Sequence, residues 1–396
     1  MNKGIGGDRA VIHSTSVPRH DSVLIPVAGL TLFAIASGYL MSLIPLSLGS
    51  FAIGSEYAGW LASAYYVGLL LGSMLIEPVI ARIGHRRSFI LFALALAATV
   101  VVLPFYTELS AWLVSRLLAG FAVAGIFVVI ESWLLIGDNP AVRAKRLSFY
   151  MTALYGGTTL GQLAIGVFGT AGVVPFAVVI ALLLIAVLPL LFSDAQPACH
   201  GGHKNLSLKQ IFRLSKPAMV GCMTSGIVMG TIYGLMPLAL QEKQYNTEQV
   251  GGLMAAVILG GMIIQPVISK LSSRMSKVLL LAMVSLLGVF AMGIIYISGH
   301  YLVMVAGLAL LGMSSFALYP VAITLACDAL TANVIVAATQ VMLFCYSVGS
   351  AAGPLVAGQF MKQPDGIMNF FFIVLLSTAI YMLLSAVRRK SHILAS

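Results

Sequence analysis

Charge is scarce in this chain. Of its 396 residues only 9% are Asp, Glu, Lys or Arg, where an ordinary globular domain carries about a quarter. A further 60% are hydrophobic, which rules out a normal solvated surface and points to a chain that lies in lipid. Cysteine is equally sparse: Cys222, Cys327 and Cys345 fall in or beside apolar runs and Cys199 in a polar stretch, so no disulfide framework is indicated. The tract Cys199-His200-Gly-Gly-His203 offers three candidate ligands in a loop, too few for a closed metal centre, and no metal or other cofactor is expected. A Gly-x-x-x-x-Gly-Lys-Ser/Thr phosphate loop is missing. No polar segment is long enough to house an ATPase, which removes nucleotide hydrolysis as an energy source. No His-rich, paired-Asp or Ser-His constellation appears, so catalysis is not expected. Residues 1 to 23 are polar and carry no cleavable signal pattern.

What is present is apolar sequence in long runs. Stretches such as Phe89 to Phe105, Pro175 to Phe192, Val278 to Ile297 and Phe370 to Val387 can cross about 30 Å of hydrocarbon as helices. Twelve spans are predicted, near 24–47, 57–80, 88–106, 110–136, 147–169, 173–192, 217–240, 249–268, 277–298, 301–326, 334–359 and 367–387. The chain then divides into a tail (1–23), a six-helix half (24–192), a linker (193–216), a second six-helix half (217–387) and a second tail (388–396). The formal charge of +10 is no nucleic-acid signal, because almost every loop cation falls on one side of this topology. Arg82, Arg86, Arg87, Lys270, Arg274 and Lys277 share that side with both tails and the linker; Lys243 and Lys362 lie opposite. Positive residues collect on the cytoplasmic face, so both termini are expected in the cytoplasm of a bacterial-type inner membrane. Trp60 and Trp112 fall at outer span ends and Trp133 near an inner one, where indole rings anchor at headgroups. In the linker, Leu208, Ile211, Phe212 and Ser215 recur at helical spacing beside Lys209, Arg213 and Lys216, the pattern of a helix lying on the membrane surface or of an ordinary connector.

The two halves are copies. Gly38, Leu43, Pro45, Leu46 and Leu48 recur 192 residues later as Gly230, Leu235, Pro237, Leu238 and Leu240. The same shift maps Glu56, Gly59 and Leu61 onto Glu248, Gly251 and Leu253, Gly120 onto Gly312, and Gly157, Gly161 and Gly166 onto Gly349, Gly353 and Gly358. One stretch slips by a helical turn: Glu77-Pro78-Val79-Ile80-Ala81-Arg82 aligns with Gln265-Pro266-Val267-Ile268-Ser269-Lys270 at an offset of 188. Duplicated halves in a membrane place a working site at their interface.

Charges within a bilayer are costly, and those that persist mark function. Apart from Lys277 at the very start of its span, three fall inside the predicted spans: Glu77, Arg116 and Glu131. All seven histidines lie in loops or tails, so a proton carried through the core by a carboxylate must use Glu77 or Glu131. Arg116 and Glu131 share a helix 15 residues apart, about 22 Å along its axis and within roughly 60° of the same face. They cannot pair, but both can face one water-filled path.

The loop between the second and third spans, Glu77-Pro78-Val79-Ile80-Ala81-Arg82-Ile83-Gly84-His85-Arg86-Arg87, resembles the Gly-x-x-x-Asp-Arg-x-Gly-Arg-Arg motif of the major facilitator superfamily. Arg82, Gly84 and Arg86 match. Ala81 replaces the Asp and Glu77 the first Gly, which puts a carboxylate one turn up the same helical face, where Glu77 is expected to latch an inner gate with Arg82, Gly84, Arg86 and Arg87. Arg116 through Gly120 resembles the superfamily's Arg-x-x-x-Gly element, whose Arg is associated with proton transfer in proton-coupled members; Arg116 and Glu131 are therefore the proton-coupling candidates. Gly157 and Gly161 sit where efflux antiporters of the superfamily carry Gly-Pro, but Gln162 follows here, while Gly353-Pro354 is intact in the eleventh span. Both glycine ladders are expected to pack the halves together, with Gln162 lining the cavity or bonding a neighbouring helix. Glu131-Ser132-Trp133 resembles the superfamily's YcaD-like branch. If the first, fourth, seventh and tenth spans surround the cavity, as the resemblance implies, Tyr39, Tyr233 and Tyr319 line it, with Tyr155 and Tyr346 adjacent.

The resemblance implies an all-α fold of twelve helices in two six-helix pseudo-repeats. It implies secondary transport of a small organic solute by alternating access, coupled to a proton gradient. The expected partners are that solute and membrane lipid, with the chain working as a monomer and no nucleic acid. Efflux of drugs or metabolites is the alternative within transport; a transporter-like receptor or an integral-membrane enzyme is the alternative outside it.

Overall fold

The computed structural model describes residues 24–135, 140–191, 215–328 and 332–395. The linker with its surface-helix pattern, the Cys199 to His203 tract, residues 1–23 and the Trp133 side chain lie outside the described residues. Among those described the secondary structure is wholly helical. The elements are α1 (Leu24–Ser47), α2 (Ala58–Leu75), α3 (Glu77–Ile83), α4 (His85–Phe105), α5 (Leu109–Leu135), α6 (Pro140–Phe168) and α7 (Val174–Leu191) in the first half. In the second they are α8 (Lys216–Glu242), α9 (Thr247–Ser272), α10 (Lys277–Ile297), α11 (Tyr301–Cys327), α12 (Ala332–Phe360) and α13 (Gly366–Ala395). Eleven of these are long and apolar enough to cross a membrane. The remaining expected span is α6, whose hydropathy is diluted by Gly156, Gly157, Thr158, Thr159, Gly161 and Gln162.

The second predicted span divides at Ile76 into α2 and α3. Pro78 lacks the N–H a continuous helix would use and crowds the carbonyl one turn back, so the axis bends just before it. Gly84 then joins α3 to α4 with φ of +79° and ψ of 163°, a conformation that essentially only glycine adopts. α9 starts from a capping box, with Asn246 Oδ1 accepting from the Gln249 N–H at 2.8 Å and Gln249 Oε1 from the Asn246 N–H at 3.1 Å.

The duplication is visible in the packing. α1 packs on α6 as α8 packs on α12, α2 on α5 as α9 on α11, and α4 on α5 as α10 on α11. Glycines make these seams close. A Cβ at Gly120 would strike the carbonyl of Tyr65, and one at Gly312 the carbonyl of Val257, the equivalent residue 192 positions on. Gly157 and Gly161 face α1, and Gly349 and Gly353 face α8. These ladders therefore seal helix pairs inside each half, not between halves as expected, because each lies on the face its helix turns to its own half's first helix.

The halves meet through α2 with α12 and α8, α6 with α9, and α1 with α8. The glycines that bridge them report where. A Cβ at Gly59 would lie 2.6 Å from the Pro354 carbonyl, at Gly234 2.5 Å from Ala62 Cβ, at Gly251 2.5 Å from the Gln162 carbonyl, and at Gly166 3.1 Å from Glu248. Ser63 adds a 2.5 Å hydrogen bond to the Ala351 carbonyl. All lie toward the end of the bundle bearing the loops after α1, α4, α6, α8, α10 and α12, termed here the sealed end. The opposite end carries Arg82, Arg86, Arg87, Lys270, Arg274 and Lys277 and is termed the basic end. There α3 packs within its own half, on α2 and α4.

Trp112 is no headgroup anchor. It is fully buried, donates from Nε1 to the Leu103 carbonyl at 3.0 Å and stacks with Phe51 and Phe176 under the sealed-end loops. The α1–α2 connection folds over it as a short 3₁₀ turn, Leu48–Phe51, and removes it from any interface. Trp60 is exposed, as an anchor should be.

Candidate functional site

Near mid-bundle, Arg116 on α5 is 6% exposed, and its guanidinium carbon stands 4.5 Å from the centroid of the Tyr65 ring on α2. Tyr65 meets Tyr66 edge to face at 5.3 Å. From the second half, Tyr319 on α11 and Tyr346 on α12 stack at 5.0 Å, and Tyr155 on α6 meets Phe316 on α11 across the halves at 5.5 Å. Tyr66, Tyr233 and Tyr346 lie within electrostatic reach of one another. The arrangement sets tyrosines of both halves along the centre, of which Tyr65, Tyr66 and Tyr233 share a cavity with Arg116, each ring offering an apolar face and one polar tip. A cavity of about 20 Å³ sits beside it, lined by Arg116, Tyr65, Tyr66, Tyr233, Met41 and Gly234 among others. That is room for about one water.

Arg116 forms no hydrogen bond or ion pair among the described residues, and its Nε is buried without a partner. The helix-to-helix contact that holds Tyr65 against it rests on Gly68 and Gly120, which let α2 and α5 approach to backbone distance.

Glu131 lies toward the basic end of the same helix. Tyr150 on α6 donates to its Oε1 at 2.8 Å, and its carboxylate is within electrostatic reach of Tyr319 on α11. Glu131 is itself exposed, and its hydrogen bond to Tyr150 lies within the first half. Arg116 and Glu131 do not pair, as their spacing requires.

Other expected positions are distributed differently. Tyr155, Tyr233, Tyr319 and Tyr346 join the central cluster. Tyr39 is fully buried away from it, donating to the Gly169 carbonyl at 2.7 Å and packing on Phe168. Gln162 is fully buried in the α1–α6 seam, donating from Nε2 to the Gly38 carbonyl at 2.8 Å and accepting from Ser42 at 2.7 Å. It takes the helix-bonding alternative, because Gly38 and Gly161 bring the two backbones too close for it to reach the cavity. Glu77 is exposed in the first turn of α3, Arg82 and Arg87 are exposed at the basic end, and Arg86 caps α7 through a 2.5 Å bond to the Leu191 carbonyl. The contact expected between Glu77 and the start of the eleventh span falls on side chains outside the described residues. Tyr65, Tyr66 and Tyr150 were not among the expected site residues; adjacent tyrosines in the middle of an apolar span were the signal for the first two.

Comparison with known proteins agrees with this architecture. The model of the Major Facilitator Superfamily matches residues 27–354. An uncharacterized MFS-type transporter of Yersinia pestis (strain Pestoides F) is 33% identical over 378 residues, covering 93% of this chain and 96% of its own length. The uncharacterized MFS-type transporter YcaD of Escherichia coli O45:K1 is 33% identical over 375 residues, with the same coverage. Among solved structures, the nucleoside transporter NupG superposes with a TM-score of 0.69 at 14% identity, over 94% of this chain and 98% of that one.

Proposed function

The chain belongs to the major facilitator superfamily and is a multi-pass membrane transporter, and from that premise we propose that it moves a small organic solute by alternating access, driven by a proton gradient. The observation that carries the proposal is a tyrosine-lined centre built by both halves; Glu131, hydrogen-bonded by Tyr150, is the carboxylate proposed to carry the proton in the gap between them. A group that gains and loses a proton in that gap can make the movement of the halves depend on the gradient. The excess of loop cations supports a cytoplasmic basic end, and with that orientation the sealed end faces outside. Reorientation would part α2 from α12 and α6 from α9 and bring α3 toward the second half, where Glu77 and the Arg82 to Arg87 cluster would close the inner gate.

The test begins with thermal stabilisation of purified protein across a metabolite library, since a ligand at 100 times its dissociation constant adds about 2.7 kcal/mol. Hits are then reconstituted with and without a pH gradient. Accumulation against a concentration gradient should require the proton gradient. Glu131→Gln should abolish that accumulation while leaving exchange down the solute's own gradient intact. Accumulation that survives both collapse of the gradient and Glu131→Gln would rule out the coupling.

A further inference from the structure

We propose that the cargo is an organic anion whose charged group is received by Arg116, an inference that rests on the transport reading above. A guanidinium cannot shed its proton inside a protein, so burial leaves Arg116 charged. Its surroundings do not offset that charge. Among the described residues it makes no ion pair or hydrogen bond, and Nε is enclosed without an acceptor. Glu131 lies about 22 Å away along the helix axis and Glu108 about 12 Å in the other direction. The Tyr65 ring at 4.5 Å supplies only the negative face of its quadrupole. A buried cation so placed is strongly disfavoured until an anion arrives, and the five donors of the fork are shaped for the paired oxygens of a carboxylate or phosphate.

The neighbours describe the rest of the ligand. The cavity beside Arg116 is lined by Tyr65, Tyr66 and Tyr233 together with Met41, Ile44 and Pro45, a mainly apolar lining that suits an apolar body with one charged end. At about 20 Å³ it is too small for such a body while the sealed end is closed. Its lining takes in Ala62 of α2 and Gly234 of α8, which meet across the halves. Parting the sealed end would therefore enlarge the site.

The experiment is thermal stabilisation of the purified full chain by four shape-matched probes: benzoate, phenyl phosphate, benzamide and benzylamine. One or both anions should stabilise the protein and the neutral and cationic probes should not; which anion is stronger separates a carboxylate site from a phosphate site. Arg116→Gln should weaken the preferred anion by about 30-fold or more. Arg116→Lys, which keeps the charge but loses the planar fork, should fall between. Equal stabilisation by benzamide or benzylamine, no stabilisation by either anion, or an anion preference retained in Arg116→Gln would each overturn the proposal. If Arg116→Gln does not fold, the charge selectivity of the unaltered protein decides. Counterflow in proteoliposomes separates the two readings. An anion that binds without counterflow would refute transport and leave the site, and counterflow confined to neutral or cationic solutes would do the reverse.

Discussion

Gly59→Ala should open the sealed end. A methyl added there would lie 2.6 Å from the Pro354 carbonyl oxygen, against an ordinary contact of about 3.4 Å or more, so α2 and α12 would have to separate by about 0.8 Å or distort. Overpacking of this kind costs about 1–3 kcal/mol. Because the two residues belong to different halves, that cost falls on the closed state and vanishes once the halves part. A difference of about 1–3 kcal/mol changes the equilibrium between the states by roughly 5- to 150-fold. Gly358→Ala is the control: it lies on α12 one turn beyond Pro354, and a Cβ there would meet nothing within 4 Å. The readout is the reaction of a single cysteine, Met41→Cys, with a membrane-impermeant maleimide applied from the sealed side, in protein whose four native cysteines are replaced. The rate should rise in Gly59→Ala and not in Gly358→Ala. Equal rates in Gly59→Ala, Gly358→Ala and the parent would show that this approach does not hold the end closed.

Gln162→Leu should leave the Ser42 hydroxyl without its partner in a buried seam and remove the second bond of the helical Gly38 carbonyl, a loss of about 1–3 kcal/mol; a melting temperature equal to the parent's would refute the tie. Ser42→Ala removes one of the two bonds and should cost less by the same measurement. Glu77→Gln should slow transport with little loss of folded protein if the displaced carboxylate closes the inner gate, and unchanged transport across pH would show that it does not.

Much of the architecture was legible because hydropathy and repetition report it directly. The first span was expected at 24–47 and is observed at Leu24–Ser47. Hydropathy was blind where helices leave the hydrocarbon: α6 begins at Pro140, not 147, and α13 runs to Ala395, past the expected end at 387, because a helix with Arg and Lys in water is still a helix. The bend at Ile76 was latent in Pro78 but hidden by continuous apolar sequence. The site was only partly readable. Arg116 and Glu131 stood out as charges in apolar runs, Tyr233 and Tyr319 followed from the helices the family resemblance assigns to the cavity, and Tyr155 and Tyr346 from the pair beside them. That assignment omitted the second span, and with it Tyr65 and Tyr66, whose approach to Arg116 depends on Gly68 and Gly120 setting the α2–α5 distance. Tyr39, Gln162 and Trp112 looked equally eligible, yet each spends its polar group on a nearby helix or loop, a choice that depends on backbone spacing and not on residue type.

Gln162 and Pro354 occupy equivalent positions of the two copies, 192 residues apart. The first is a rivet: its amide binds α6 to α1 at two points. The second is a flexure, since a proline inside α12 cannot donate to the Ser350 carbonyl one turn earlier and leaves the helix free to bend there. Both abut the opposite half at the sealed end, Gln162 through Gly251 and Pro354 through Gly59. A gene duplication supplies two identical hinges; this chain has stiffened one and loosened the other. The two seams are therefore unequal in stiffness, and the α2–α12 side is the compliant edge of the sealed end.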